Sequence, residues 1–297
     1  MYDNRNQIVG VAVQGQIASP ELPALPASPY VIGADGRPQL LTPPGGIVYN
    51  VRVGDSAYGW VADMVQPGVS VKSPQEGPNQ ALNVLSCIGN EAIVAGGRAH
   101  GSRGTVIGKS GRFAEHVIVH FAPDVLEALA VGDQVLVRAL GRNLAFTDLP
   151  DVQLKSCSPA LLDALEVASD EPGSITVAVA AEVPAHLAGA GAGLVSEAGA
   201  IQIQTEDEDA LRAAGLDGLR LGDVVALRDF DVRWGPGYLK DAATVGVVVH
   251  GDSPRGGHGP GVTPLMTATG GRLRVDVRAE RNIVDLLDLR GAERVAA

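Results

Sequence analysis

The ionisable residues that could do chemistry are concentrated in residues 246–263, which read GVVVHGDSPRGGHGPGVT. Three valines predict a buried strand that ends at His250, and Asp252 and His258 follow among glycines and prolines. Gly and Pro permit tight turns and a close approach of backbone to ligand, so this loop predicts a binding or catalytic site. A tight turn with a few solvated side chains is the plainer alternative.

The side chains of this loop suit two kinds of chemistry. His250 or His258 can act as a general base near neutral pH, with Asp252 orienting the ring. Two imidazoles and a carboxylate also suit zinc, iron or manganese, but the spacing H-x-D-x5-H matches no standard metal motif. We therefore assign no metal, and the sequence identifies no cofactor. Ser253 and Arg255 are candidate substrate-binding residues in the same loop.

Cys87 is a candidate nucleophile in the phrase SCIGNEA. Gly89 can leave backbone N–H groups free to stabilise an oxyanion beside the thiol. Such a role requires a histidine within reach, whereas a buried structural cysteine is the usual alternative. Asn90 and Glu91 are candidates for binding substrate, and they could equally cap a turn.

Further polar residues stand at the ends of predicted strands. Asp55 and Ser56 follow the strand-like run IVYNVRV, and Asp229 and Asp231 precede the aromatic turn WGPGY. We include all four as candidate substrate-binding residues. The two later aspartates are also ordinary residues for the end of a strand.

An internal echo indicates which elements position these loops. Residues 104–141 and 193–231 each read as a hairpin, a short helix and a strand opened by Gly-Asp, at Asp133 and Asp223. Alternating apolar residues follow each aspartate, which predicts a strand with one buried face. The interpretation is a structural repeat, and the alternative is convergent hairpin composition.

A second, weaker echo joins the two candidate loops. VRVGDS at 51–56 is followed by PGVS, and VVHGDS at 248–253 is followed by PGVT. Two related β-rich halves would place the GDS loops face to face. A site at their interface would follow, because ligand pockets favour such positions.

The predicted fold is α+β, mainly β, with two pseudo-repeated β-barrel-like modules and short helices. Ser158 followed by Pro159 predicts a helix start near the boundary between the halves. The predicted units are an N-terminal strand with a Pro-rich arm, 1–29, an N-terminal β-rich domain, 30–157, and a C-terminal β-rich domain, 158–297.

The composition and net charge of the chain restrict the classes of partner that it can bind. Aromatic residues make up only 4% of the 297 residues, so the core must consist of Val, Leu, Ile and Ala. A net charge of −11 argues against nucleic-acid and anionic membrane surfaces and favours a small-molecule ligand. Two cysteines and a polar start without a signal peptide or apolar span predict a cytoplasmic protein. The Pro-rich arm predicts a homo-oligomer.

The phrases GGIVYNVRVGDSAYGW, LSCIGNEA and VVVHGDSPRGGHGPGVT together resemble DUF4438, a family defined as a domain of unknown function. The resemblance spans residues 30–290 and implies a two-part chain, but no reaction. Where the family has GDHVEPG this chain has ADMVQPG, so Met64 and Gln66 replace a His and a Glu and disfavour a metal or acid–base role there. The matching phrases carry Asp55, Cys87, His250, Asp252 and His258.

Taken together, these patterns predict an enzyme that acts on a small polar metabolite by hydrolysis, elimination or cyclisation. His250 and Asp252 would supply acid–base catalysis, and Cys87 is the candidate nucleophile. The alternative is a non-catalytic ligand-binding or assembly protein, in which the GHGPG loop binds an anion through backbone N–H groups.

Overall fold

A computed structural model of the chain describes residues 2–22, 28–110, 115–169, 171–189, 195–204 and 206–290. This part of the chain is mainly β, with five short helices, so the predicted fold class is confirmed. None of the helices described is both long and apolar enough to cross a membrane.

The described residues of the N-terminal half form nine strands and two helices. The strands are β1 (Val11–Ile17), β2 (Val31–Ile32), β3 (Pro38–Gln39), β4 (Ile47–Val48), β5 (Gly68–Lys72), β6 (Glu91–Val94), β7 (Arg103–Ser110), β8 (His116–His120) and β9 (Gln134–Ala139). The helices are α1 (Glu76–Leu85) and α2 (Pro123–Ala128).

Six of these strands close into an antiparallel barrel in the order β1-β9-β6-β7-β8-β5. The closing pair joins β1 to β5, with Gln16 opposite Lys72 and Ile17 opposite Val71. Buried aliphatic side chains, mainly valines, form the core of this half. Small β-branched residues fill most of this narrow barrel, and Phe121 adds an aromatic ring, in agreement with the low aromatic content of the chain.

In the C-terminal half, the part of the chain that the structure describes forms eight strands, three α-helices and one 3-10 turn. The strands are β10 (Val152–Leu154), β11 (Ile175–Val179), β12 (Ala181–Val183), β13 (Ile201–Gln202), β14 (Val224–Asp231), β15 (Gly237–His250), β16 (Gly261–Ala268) and β17 (Leu273–Val277). The helices are α3 (Pro159–Ala164), α4 (Glu208–Ala213) and α5 (Ile283–Leu286), and the 3-10 turn is Ala185–Leu187.

The main sheet of this half is open among the strands described. Its order is β10-β16-β15-β14-β12, with β13 paired to β16 and β12 parallel to β14. Strands β11 and β17 form a separate parallel pair. The closed barrel is therefore a feature of the N-terminal half, and the C-terminal half is a mixed sheet.

The two segments with similar sequences, 104–141 and 193–231, share part of their secondary structure. Residues 104–141 contain the hairpin β7–β8, then α2 and β9, as predicted. In 193–231, α4 and β14 occupy the corresponding places, but β13 pairs with β16 instead of forming a local hairpin. Positions 111–114 of the first unit and positions 193, 194 and 205 of the second unit lie outside the described residues.

The Gly-Asp strand entries share one turn geometry. Gly132 and Gly222 have φ values of 93° and 90°, which glycine adopts without steric cost. The carboxylate of Asp133 accepts a hydrogen bond from the N–H three residues earlier, at 2.9 Å, and Asp223 does the same at 2.8 Å. Each aspartate thus holds its own turn closed.

The barrel and the open sheet share one core. Ile107 and Ile118 of the barrel belong to the same buried cluster as Val247 and Val249 of β15. Strand β7 approaches β15 so closely that a Cβ atom on Gly108 would lie 2.5 Å from the Cβ of Val249. Absence of a side chain at Gly108 is therefore what allows this contact between the halves.

We expect Gly108→Ala to destabilise the protein by about 1–3 kcal/mol, because the added methyl group overpacks the contact with Val249. The measurement is urea unfolding, with the midpoint compared at constant slope. Gly96→Ala is the matched control, since its Cβ would meet nothing within 4 Å. Equal midpoints for the two variants would contradict this account.

Candidate functional site

A pocket of about 530 Å³ lies between the two halves of the chain. One wall comes from residues 39–61 and the other from α4 and the loop after β15. Asp252 and Ser253 are the predicted site residues that line it. The expected pocket at the interface is therefore present, and part of the GDS loop forms its wall.

The second GDS loop forms backbone hydrogen bonds with the segment that follows the first GDS loop. The Asp252 N–H donates to the Ala57 carbonyl at 3.0 Å, and the Met64 N–H donates to the Asp252 carbonyl at 2.9 Å. The Gly251 N–H donates to the Val65 carbonyl at 2.9 Å. These bonds on both sides fix the backbone of Asp252. They do not involve its carboxylate, whose position depends on other contacts.

The Asp252 carboxylate differs from those of the other Gly-Asp turns. Asp55 accepts a hydrogen bond from the N–H of Arg52 at 2.8 Å, within its own turn. Asp252 instead accepts one from Gly59, across the interface, at 3.2 Å. Burial raises the pKa of Asp252, and the Gly59 hydrogen bond offsets this only in part. Asp252 is a half-buried carboxylate that faces a pocket.

Two aromatic side chains complete this part of the pocket. The Trp60 indole N–H donates to the Ser56 carbonyl at 2.8 Å, and the Ser56 hydroxyl bonds to the Tyr58 backbone at 3.1 Å. The Tyr58 hydroxyl is buried and has no hydrogen-bond partner among the described residues. Burial, followed by the charges of Asp252 and Asp217, raises the pKa of Tyr58, so its phenol keeps its proton.

Ser253 and Arg255 form a small network with Asp63. The Ser253 hydroxyl donates to the Asp63 carboxylate at 2.7 Å and accepts from the Arg255 N–H at 3.2 Å. The Arg255 guanidinium lies 3.3 Å from the same carboxylate. This network holds the loop against the N-terminal half, and Arg255 does not itself line the pocket.

His250 does not reach the pocket, contrary to its expected place beside the substrate. Its ring is fully buried, with Nδ1 2.9 Å from the Gly251 carbonyl and Nε2 3.3 Å from the Gln202 amide nitrogen. The carbonyl can only accept, so Nδ1 carries the proton and Nε2 accepts from Gln202. Burial lowers the pKa of His250 to about 4 and keeps the ring neutral.

His258 lies further along the loop and is also outside the pocket lining. Its Nδ1 is 3.1 Å from the Gly256 carbonyl, a contact within the turn. No group of three or more His, Cys, Asp or Glu in the described ranges could hold a metal. His250, Asp252 and His258 therefore do not form the shared cluster that their spacing suggested.

Cys87 is fully buried in the core, and the neighbouring Ile88 forms a β-bridge with Cys157. Its backbone N–H donates to the Asn90 side chain at 2.8 Å, and the Asn90 amide donates to the Leu140 carbonyl at 2.7 Å. Neither His250 nor His258 is a hydrogen-bond partner of the thiol. The expected nucleophile–base pair is thus not formed, and Cys87 and Asn90 have structural contacts.

The remaining predicted residues also lie outside the pocket. Glu91 forms ion pairs with Arg103 and Arg138 on the barrel surface. Asp229 has a φ of 50° at a β-bulge and accepts from the Asp241 N–H at 2.8 Å. Asp231 pairs with Arg233; burial raises the pKa of Asp231, but the hydrogen bonds and charge of Arg233, together with the charge of Lys155, outweigh burial and lower it.

Sequence reasoning missed Tyr58 and Trp60. The signal was present, because YGW follows GDS directly and the chain contains only two tryptophans. Sequence reasoning also missed Asp217 and the residues of α4, since nothing in their local pattern shows that they face a loop more than 150 positions away.

Comparisons with known proteins cover the whole pocket. The model of the domain of unknown function DUF4438, N-terminal, matches residues 30–163, and the C-terminal model matches 164–287. The crystal structure of a protein named TM1086 is 40% identical, with a TM-score of 0.89, over 96% of this chain and 98% of that one. No curated protein matches the chain.

The buried neutral His250 predicts a specific pH dependence of stability. Its folded pKa of about 4 lies below the ordinary 6.5, so the unfolded chain takes up the proton first as pH falls. The contribution of neutral His250 to stability is therefore fully present above about pH 6.5 and decreases as the pH falls towards 4. When the pH falls from 7.5 to 5, we expect the free energy of unfolding of the unmodified protein to decrease by roughly 2 kcal/mol more than that of the His250→Gln variant.

This difference is measured by urea unfolding of both proteins across the pH range. Burial also lowers the pKa of His116 to about 4. Because both proteins contain His116, its contribution to the pH dependence cancels in the comparison. Parallel stability curves for the two proteins would show that His250 is not held neutral.

Proposed function

This chain belongs to the DUF4438 family, and because the family name records no activity, we propose its function from the pocket: it binds a small, positively charged metabolite. The observation that carries this proposal is the charge of the pocket lining. Among the described residues of the lining, the only cation is Arg212, already paired with Glu208 and Asp209 on its own helix. The carboxylates are Glu206, Glu208, Asp217 and Asp252.

The pocket also supports the proposal through its shape and depth. A volume of about 530 Å³ suits a small metabolite. Tyr58 and Trp60 offer ring faces, which attract cations. The three other carboxylates are exposed and screened by salt, so the half-buried Asp252 contributes most to the attraction.

Binding can be tested with three probes that share a ring and differ in charge: benzylamine, benzyl alcohol and benzoate. We expect benzylamine to bind, benzyl alcohol to bind about tenfold more weakly and benzoate not to bind. Asp252→Asn should weaken benzylamine binding about tenfold, because a charged hydrogen-bond acceptor is lost. NMR titration of backbone amides measures the affinity and locates the probe.

Asp229→Asn is the matched control, since Asp229 lies outside the pocket and asparagine tolerates its positive φ. Its affinity for benzylamine should equal that of the unmodified protein. Equal binding of benzylamine and benzoate would refute a cation site.

A second candidate function is enzymatic, and the environment of Asp252 favours it. We propose acid–base chemistry of the non-redox type, namely hydrolysis, elimination or cyclisation, with Asp252 in place of His250 as the base. A carboxylate whose pKa is raised is a better base than an ordinary one. Tyr58 lines the pocket and keeps its proton, and its buried hydroxyl has no hydrogen-bond partner among the described residues, so we assign it as the donor to a charge that develops on the substrate.

Turnover can be sought by incubating the protein with a pool of amine metabolites and following each by mass spectrometry. For any member converted, Asp252→Asn should lower kcat about 100-fold, and Tyr58→Phe should lower it as well. The rate should fall as pH drops through the pKa of Asp252, which burial raises above the ordinary value of aspartate. Loss of turnover in His250→Gln but not in Asp252→Asn would exclude this mechanism.

A further inference from the structure

A second pocket, of about 510 Å³, has the opposite charge. It lies between the segment 142–155 and the turn that joins β14 to β15. Its lining contains three cations, Arg142, Lys155 and Arg233, and one carboxylate, Glu197. A net positive lining is unexpected in a chain with a charge of −11, and it shares no residue with the first pocket.

The cations keep unused hydrogen-bond donors. Lys155 is buried, and its ammonium donates to Glu197 at 3.0 Å and to the Arg233 carbonyl at 2.8 Å, which leaves one N–H. The Arg233 guanidinium is held at Nε by Asp231, and its two Nη groups make no hydrogen bond to the described residues. Arg142 uses three of its five N–H groups on backbone carbonyls.

Positive charge is crowded behind this lining. Lys109 is fully buried, and its ammonium donates to the Glu197 carbonyl at 2.6 Å and to the Ser156 hydroxyl at 3.0 Å. Burial and then the charge of Arg142 lower the pKa of Lys109 to about 7. Burial alone would raise the pKa of Glu197, but the hydrogen bond and charge of Lys155 lower it and keep the carboxylate ionised. Its single negative charge offsets one of the cations.

An exposed indole stands at the rim of the pocket. Trp234 lines the pocket, yet its side chain is 82% exposed. The turn that carries it lies between Asp231 and Gly237, which pair at the end of the β14–β15 hairpin. A large ring face beside unused cationic donors suits a ligand that has both a planar ring and an anionic group.

We propose that this second pocket binds a small molecule that joins a phosphate to a planar ring, as in a nucleoside monophosphate. The phosphate accepts hydrogen bonds from Arg233 and Lys155, since the arginine fork matches phosphate oxygens in two-point contacts. Glu197 pairs with Lys155 and Asp231 pairs with Arg233, so the three cations leave a net positive charge that favours an anionic group. The ring stacks on Trp234.

The proposal is tested by calorimetric titration at low ionic strength with AMP, ribose 5-phosphate and adenosine. We expect AMP to bind, ribose 5-phosphate to bind about tenfold more weakly because the stacking contact is absent, and adenosine to show no measurable binding. Raising the salt concentration should weaken AMP binding, since the contacts with phosphate are ionic.

Two variants separate the contributions of phosphate and ring. Arg233→Gln should weaken both AMP and ribose 5-phosphate about tenfold. Trp234→Ala should weaken AMP about tenfold and leave ribose 5-phosphate unchanged. Because the Trp234 side chain is exposed, its replacement by alanine should not impair folding. A loss of AMP binding in this variant therefore reports the missing ring.

Arg278→Gln is the matched control, because Arg278 pairs with Asp276 two residues earlier, just as Arg233 pairs with Asp231. AMP binding should be unchanged in this control. Failure of AMP to bind, equal binding of AMP and adenosine, or AMP binding that neither Arg233→Gln nor Trp234→Ala weakens would each overturn the proposal.

Discussion

The arrangement of this molecule depends on a set of backbone hydrogen bonds between the loop at 251–252 and residues 57–65. Asp252 takes part through both its N–H and its carbonyl, so the loop after β15 is paired on two sides with the N-terminal half. Losing such a pairing would leave buried donors and acceptors without partners, which costs more than a single hydrogen bond contributes. The first pocket exists because this pairing brings α4 and the Tyr58 loop to opposite walls.

The Gly-Asp motif shows how one local pattern acquires different roles. At Asp55, Asp133 and Asp223 the carboxylate accepts the N–H three residues earlier and closes its own turn. At Asp252 the turn differs, and the carboxylate accepts from Gly59 in the other half of the chain. The first three aspartates therefore close their own turns, whereas the fourth joins the two halves of the chain and lines a pocket.

Charge is distributed unevenly between the two pockets. The first pocket gathers carboxylates around two aromatic rings, and the second gathers three cations beside an exposed indole. Lys109 and Lys155 tolerate burial because each donates to Glu197 and to a further oxygen. Buried cations need such partners, since an unpaired one would be strongly destabilising. The pockets are thus suited to ligands of opposite charge on one chain.

Local sequence patterns determined the mainly β class, the valine-rich and aromatic-poor core, the Gly-Asp turns and the position of the loop at 246–263. These features follow from residue-by-residue preferences for φ, ψ and alternation, which a local pattern carries. The DUF4438 resemblance likewise rests on short phrases, and the family models match them across both halves.

Only the tertiary structure decided which polar side chains meet a pocket. His250 and Asp252 are two residues apart, yet packing against Gly261 and Gln202 encloses the first, and contact with Gly59 leaves the second facing the cavity. Cys87 is buried in the core, and Tyr58, Trp60 and Lys155 gain importance from partners far away in the chain. Burial and electrostatic environment are sums over such distant contacts, so no local pattern of residues contains them.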